Sequence, residues 1–85
     1  MRKDWSIDLE HGVYKRNISF VIEDGLRAIE ETERGYYVNL VTPENFGNPS
    51  HYLAEIITRK YESSVSFQFI DQCGCGGYVF RVWKK

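Results

Sequence analysis

The sequence predicts an α/β fold of the α+β kind, a two-layer sandwich in which two helices cover a mixed four-stranded sheet. Apolar and polar residues alternate in several segments, which is typical of strands, and apolar residues recur at helical spacing in two others. These segments follow one another in the order β-α-β-α-β-β. Because a helix with one apolar stripe must bury that stripe against a second layer, helices packed on a sheet are the expected arrangement.

The N-terminal part contains a strand and a helix. Residues 5–10 alternate apolar and polar side chains, which predicts a half-exposed strand. Apolar residues at helical spacing predict a helix over residues 17–34. Gly25 weakens the middle of this helix by about 1 kcal/mol relative to alanine. Gly35 is expected to be the glycine that ends the helix.

The middle of the chain contains the segment best suited to a central strand. Residues 36–41 are aromatic, β-branched or otherwise apolar on both faces apart from Asn39, which makes this segment the best candidate for a central strand. Asn48 and Pro49 then predict the start of a second helix that runs to Tyr61. Asparagine is a good N-cap, and proline in the first turn gives up only an N–H that has no helical partner.

The last third is predicted to be a β-hairpin. Residues 65–69 and 78–83 both alternate in the manner of strands, and residues 71–77 lie within the segment between them. A connection this short cannot form a parallel crossover, so the two strands must be antiparallel. The order of the other strands does not follow from the sequence.

Length and composition predict one globular domain over residues 1–85. The chain is 42% hydrophobic and 15% aromatic, which excludes the class of disordered proteins. A net charge of −1 gives no electrostatic reason to expect nucleic acid or a membrane surface as a partner. No apolar segment approaches the ~20 residues that cross a bilayer, and the N-terminus has no signal-peptide pattern. A cytoplasmic location is therefore expected.

The two cysteines of the chain are the feature most suggestive of function. They stand in the segment Cys73-Gly74-Cys75-Gly76-Gly77, which holds three of the seven glycines. A tight hairpin turn that needs left-handed residues, or a close approach to the backbone, explains the glycines. It does not explain the cysteines, because an exposed thiol at a loop tip is chemically vulnerable.

One explanation for the cysteines is a metal site. Two thiolates at this spacing can share a soft ion such as Zn(II) or Cu(I) through Cys73 and Cys75. A structural zinc site needs four ligands, and the chain has no second cysteine pair. His51, with His11, could complete the set, or a symmetric homodimer could supply four thiolates.

A second explanation is thiol redox chemistry, because a disulfide between Cys73 and Cys75 would close a small, strained ring, and strained disulfides are easily reduced. In thioredoxin-type proteins, however, the reactive cysteines open the first helix, whereas here they join two strands. A third explanation is that the loop is itself a substrate. Its glycines would leave the thiols and the nearby Cα–H bonds accessible to a modifying enzyme.

A resemblance to a known family lies in the segment Asp71-Gln72-Cys73-Gly74-Cys75-Gly76-Gly77-Tyr78-Val79. This segment resembles the signature of the CGCGG family, small prokaryotic proteins proposed to be ribosomally made peptides that a partner radical SAM enzyme modifies. The resemblance implies that Cys73 and Cys75 are the modification sites and that the glycines of the loop keep them accessible, namely Gly74, Gly76 and Gly77.

The sequence gives no indication of an enzyme. It contains no Ser-His-Asp arrangement, P-loop or dinucleotide-binding fingerprint, and no residue stands out as catalytic. The leading hypothesis is a small cytoplasmic protein that presents a cysteine-glycine loop and is the substrate or carrier of a radical SAM maturase. The alternative is a metal-binding or thiol-redox protein that uses Cys73 and Cys75. No cofactor is expected beyond zinc or copper bound by this pair.

Overall fold

The strands and helices follow one another in the predicted order. The computed structural model describes residues 1–72 and 77–85. The elements in this part of the chain are β1 (Trp5–Asp8), α1 (Ile18–Glu31), β2 (Tyr37–Thr42), α2 (Leu53–Tyr61), β3 (Val65–Gln72) and β4 (Tyr78–Lys84). They confirm the predicted α+β class. None of the helices among the described residues is long and apolar enough to cross a membrane.

The four strands form one mixed sheet in the order β1-β2-β4-β3. β1 is parallel to β2, whereas β4 is antiparallel to both β2 and β3. β2 is therefore a central strand, as its two apolar faces predicted, and the C-terminal strands form the predicted antiparallel pair. A register shift between Phe69 and Asp71 leaves Ile70 as an extra residue in the edge strand β3.

Both helices pack against the same face of the sheet. Alternate residues of β2 and β4 face this layer, and Val38, Leu40, Phe80 and Val82 are at most 1% exposed. The helices contribute further members to the same core cluster: Val21, Ala28 and Ile29 from α1, and Leu53 and Ile57 from α2. The hydroxyl of Tyr61 in α2 donates to the carboxylate of Glu30 in α1 over 3.0 Å, and it also approaches the carbonyl of Leu26. Burial and this hydrogen bond to Glu30 both raise the pKa of Tyr61. The opposite face of the sheet has no helix on it in the described part of the chain.

The first helix is shorter than the sequence pattern predicted. Asn17 caps it as expected, and its side chain accepts a hydrogen bond from the Ser19 N–H. The helix ends at Glu31 because Thr32 has extended backbone and the Glu31 carbonyl accepts a hydrogen bond from the Arg2 N–H. The prediction that Gly35 ends the helix is wrong. Gly35 has a φ of 90° in the turn before β2, and its N–H donates to the Lys84 carbonyl.

The second helix also begins later than predicted. Asn48 does act as a cap, but it caps a short 3₁₀ turn over Pro49–His51, and its side chain accepts from the Ser50 N–H over 2.8 Å. Tyr52, with a φ of −130°, separates this turn from the α-helix that begins at Leu53. The prediction that Asn48 is a cap is thus confirmed, whereas the turn that it caps is a 3₁₀ turn and not the α-helix that was predicted.

Gly25 lies buried in α1, and we expect Gly25→Ala to stabilise the protein by about 1 kcal/mol, the difference in helix propensity. A Cβ atom there would lie 3.5 Å from Cδ1 of Leu40 and 3.7 Å from Cδ1 of Leu9, which is ordinary van der Waals contact. Urea unfolding measures the change. Gly35→Ala is the control: it has open space but a φ of 90°, so backbone strain should make it destabilising. A loss of stability in Gly25→Ala would contradict the expectation.

Candidate functional site

The cysteine-glycine loop connects an edge strand to a central strand. β3 ends at Gln72 and β4 begins at Tyr78, and these two residues face each other across the hairpin. The two ends of the loop are therefore fixed side by side by the sheet. Cys73, Gly74, Cys75 and Gly76 lie outside the described residues, so the predicted modification and metal sites at the two cysteines stay predictions.

Gly77, the last residue of the loop, is described, and it is buried. A Cβ atom at this position would overlap Oε2 of Glu10 and lie 2.9 Å from the carbonyl oxygen of Thr42. Real Cβ contacts are not this short, so only glycine fits without a shift of its neighbours. At Gly77 the reason for glycine is thus the close approach of neighbouring groups, one of the two explanations that the glycine-rich segment allows.

Glu10 is the residue that the sequence analysis missed. It follows β1, and only 9% of its surface is exposed. The Leu9 N–H donates to the Val41 carbonyl over 2.8 Å, which continues the parallel pairing of β1 with β2 beyond Asp8. This pairing carries the Glu10 side chain to Thr42 and Gly77. The contact depends on strand order, which no local pattern in the sequence reveals.

An open cavity of about 670 Å³ lies beside Gly77. Its described lining consists of charged and polar residues with one glycine: Glu10, His11, Lys15, Glu44, Asn45 and Gly77. The Asn45 side-chain amide donates to the Lys15 carbonyl over 2.9 Å and so fixes one side of the wall. The C-terminal end of the loop therefore adjoins a polar cavity that contains groups of both charge signs.

Three potential metal ligands come together at this end of the sheet: Asp8, Glu10 and His11, whose ligand atoms lie within 4.8 Å of one another. Nδ1 of His11 is 2.7 Å from Oδ2 of Asp8, and Nε2 is 3.7 Å from Oε1 of Glu10. Imidazole and carboxylate donors suit several divalent ions. Each imidazole nitrogen already faces a carboxylate, however, so contacts among these three side chains account for the arrangement without an ion.

Asp8 is held in its charged form by this arrangement. Its carboxylate accepts a hydrogen bond from the Glu10 N–H over 2.9 Å and lies against the His11 ring. The Glu10 hydrogen bond is the main reason why the pKa of Asp8 is below its ordinary value of 3.8. Burial opposes this effect, and the hydrogen bond and charge of His11 lower the pKa further. The stabilisation from Asp8 is therefore present above pH 4 and lost as the pH falls through the lowered pKa.

His51, the histidine proposed to join the cysteines in a metal site, lies at the end of the 3₁₀ turn before α2 and is exposed. Among residues 1–72 and 77–85 it belongs to no group of three or more potential metal ligands. The described structure thus brings together His11, not His51, with other potential ligands. That grouping could have been suspected from the spacing of Asp8, Glu10 and His11 at the end of a strand.

Comparisons with known proteins connect the chain to a family. No curated protein and no solved structure matches the chain. A family model matches all of residues 1–85, and its description is "Putative radical SAM target protein". This match agrees with the resemblance found in residues 71–79, which also pointed to proteins modified by radical SAM enzymes. The chain therefore belongs to this family of radical SAM target proteins.

Proposed function

We propose that this chain is a non-enzymatic cytoplasmic protein that a partner radical SAM enzyme modifies at Cys73 and Cys75. The family match over the whole chain is the observation that carries the proposal. Cys73 and Cys75 contain the only thiols, in a loop whose two ends are held together by the sheet. The cytoplasm suits this role because it keeps thiols reduced until the enzyme acts on them.

The proposed modification is a thioether bond from a cysteine sulfur to a Cα atom in or beside the loop. The enzyme cleaves S-adenosylmethionine reductively to a carbon radical, and this radical removes one hydrogen atom from a Cα–H bond. The sulfur then bonds to that carbon, the thiol proton leaves, and the remaining electron reduces an oxidised iron–sulfur cluster of the enzyme. Each bond removes two hydrogens from the protein, which is a loss of about 2 Da.

Intact-mass measurement on protein isolated from its native cell tests the proposal. We expect a mass about 2 Da below the sequence mass for each bond formed, and fragmentation that places the loss within residues 71–79. Protein produced without the enzyme is the unmodified control, and Cys73→Ser and Cys75→Ser variants produced with the enzyme show which sulfur reacts. An unmodified mass from the native cell, with the enzyme present, would overturn the proposal.

Native mass spectrometry of the same sample separates this proposal from a metal-binding role. Zinc or copper bound through Cys73 and Cys75 would add the mass of the ion, whereas thioether formation removes hydrogen. The same spectrum reports whether two chains associate, as they would if a dimer supplied four thiolates.

A further inference from the structure

The face of the sheet that carries no helix has an ordered set of side chains at its centre. They come from alternate positions of the two central strands, paired as Tyr37 with Trp83, Asn39 with Arg81 and Val41 with Val79. We call these six residues the open face. All six are half-buried, so they cover one another in part while remaining accessible.

Arg81 is held rigidly at the middle of the open face. Its guanidinium carbon lies 4.0 Å from the centroid of the Tyr37 ring and 5.8 Å from that of Trp83. Its Nε donates to Oδ1 of Asn39 over 2.8 Å, and the Asn39 amide in turn donates to Oγ of Ser6 over 3.1 Å. A guanidinium already fixed in place loses little conformational entropy when a ligand binds it.

The charge of Arg81 is not neutralised within the described part of the chain. No carboxylate of residues 1–72 or 77–85 lies within 4.0 Å of it, whereas Arg27 and Arg59 are paired with Asp24 and Glu55. The hydrogen bond to Asn39 uses only Nε. The two terminal nitrogens have no hydrogen-bond acceptor among the described residues, which leaves them available for two parallel hydrogen bonds to an external carboxylate.

A shallow groove of about 490 Å³ extends the open face next to Trp83. It is lined by Gly35, Ser66, Trp83, Lys84 and Lys85. The Lys84 ammonium donates to the Glu30 carbonyl in α1 over 3.1 Å, so this charge belongs to the helix layer. Tryptophan, tyrosine and arginine are the residue types that contribute most binding energy at protein interfaces. The surface therefore fits a protein partner that offers an acidic side chain to Arg81 and apolar contact to the two rings.

We propose that the open face is where the modifying radical SAM enzyme docks, which rests on the function proposed above. Gly77 directly precedes β4, in which Arg81 is the fourth residue, so at 3.4 Å per residue the two are separated by about 14 Å. An interface of ordinary size, about 800 Å² per partner, spans this distance and places the enzyme over the loop. A second copy of the chain fits less well, because a two-fold axis through the centre of the face would bring two Arg81 guanidiniums together.

The test measures the affinity of the purified enzyme from the same source for unmodified protein. We expect Arg81→Gln and Trp83→Ala each to raise Kd about tenfold or more. Arg81→Lys should give an intermediate loss of affinity, because lysine keeps the positive charge but cannot form two parallel hydrogen bonds to one carboxylate. The matched control is Arg59→Gln in α2, on the opposite layer, which should leave Kd unchanged. Urea unfolding of each variant establishes that the fold is intact.

Three results would overturn the docking proposal: no binding of wild-type protein, a Kd within about twofold of wild type for both open-face variants, or a wild-type dimer that Arg81→Glu dissociates. The last result would assign the face to a second copy. Failure of the two proposals is distinguishable. A loop that is modified normally in Arg81→Gln removes only the docking proposal, whereas tight binding through Arg81 without loss of hydrogen removes only the thioether chemistry.

Discussion

Replacing Gly77 with alanine is expected to destabilise the protein by roughly 1–3 kcal/mol, the usual cost of an extra methyl group in a packed site. The added Cβ would overlap the Glu10 carboxylate and press on the carbonyl oxygen of Thr42, 2.9 Å away. Glu10 can move because its carboxylate ends a flexible side chain. Thr42 cannot do so readily, because its carbonyl belongs to the backbone of the central strand β2.

A double-mutant cycle with Glu10→Ala identifies the cause of this loss. If steric overlap with the carboxylate is responsible, Gly77→Ala should cost less in the Glu10→Ala background than in wild type, by an interaction energy of about 0.5 kcal/mol or more. Urea unfolding of the four proteins gives the four free energies. An equal cost in both backgrounds would show that the close approach of Glu10 is not what requires glycine.

Replacing Phe80 with alanine should have the largest effect on stability, a loss of about 3–5 kcal/mol. Phe80 is 1% exposed on the central strand β4, and its ring lies 5.4 Å from the ring of Phe67, measured between centroids. The truncation leaves a cavity that the neighbouring strands cannot close without shifting. Since small domains are stable by only about 5–15 kcal/mol, a large part of the folding free energy would be lost.

Phe20→Ala is the matched control for Phe80→Ala. Phe20 lies on α1 and is 43% exposed, so the same truncation leaves no enclosed cavity. Its cost should be well below that of Phe80→Ala. Thermal or urea unfolding of both variants decides the matter, and similar losses for the two would mean that burial in the sheet does not account for the effect.

The fold class could be predicted because the spacing of apolar residues within each segment distinguishes a strand from a helix. The two apolar faces of residues 36–41 predicted a central strand, which the structure has at Tyr37–Thr42, and alternation predicted the hairpin. The predicted ends of the helices were less accurate. The helix α1 ends where the Arg2 N–H donates to the Glu31 carbonyl, and this contact joins residues that are distant in sequence. The bulge at Ile70 likewise cannot be read from alternation, which continues only as far as Phe69.

The candidate site was predicted in part. The spacing of the two cysteines and the surrounding glycines predicted the position of the site. The family match supports the role of substrate, whereas the residues that react stay a prediction. Glu10 was missed because its proximity to Gly77 requires both the β1-β2 and β2-β4 pairings. His51 and His11 were both predicted as possible metal ligands beside the cysteines, and the described structure groups only His11 with other potential ligands.

The position of β4 in the sheet has a consequence for the order of events in the cell. β4 contains residues 78–84, yet it is the strand that joins β3 to β1 and β2. A growing chain that has not yet emerged from the ribosome as far as these residues cannot complete the sheet, however well its earlier segments form. The open face and the fixed ends of the loop therefore arise together, only after β4 has been made. An enzyme that recognises this surface would distinguish finished, folded protein from nascent chains.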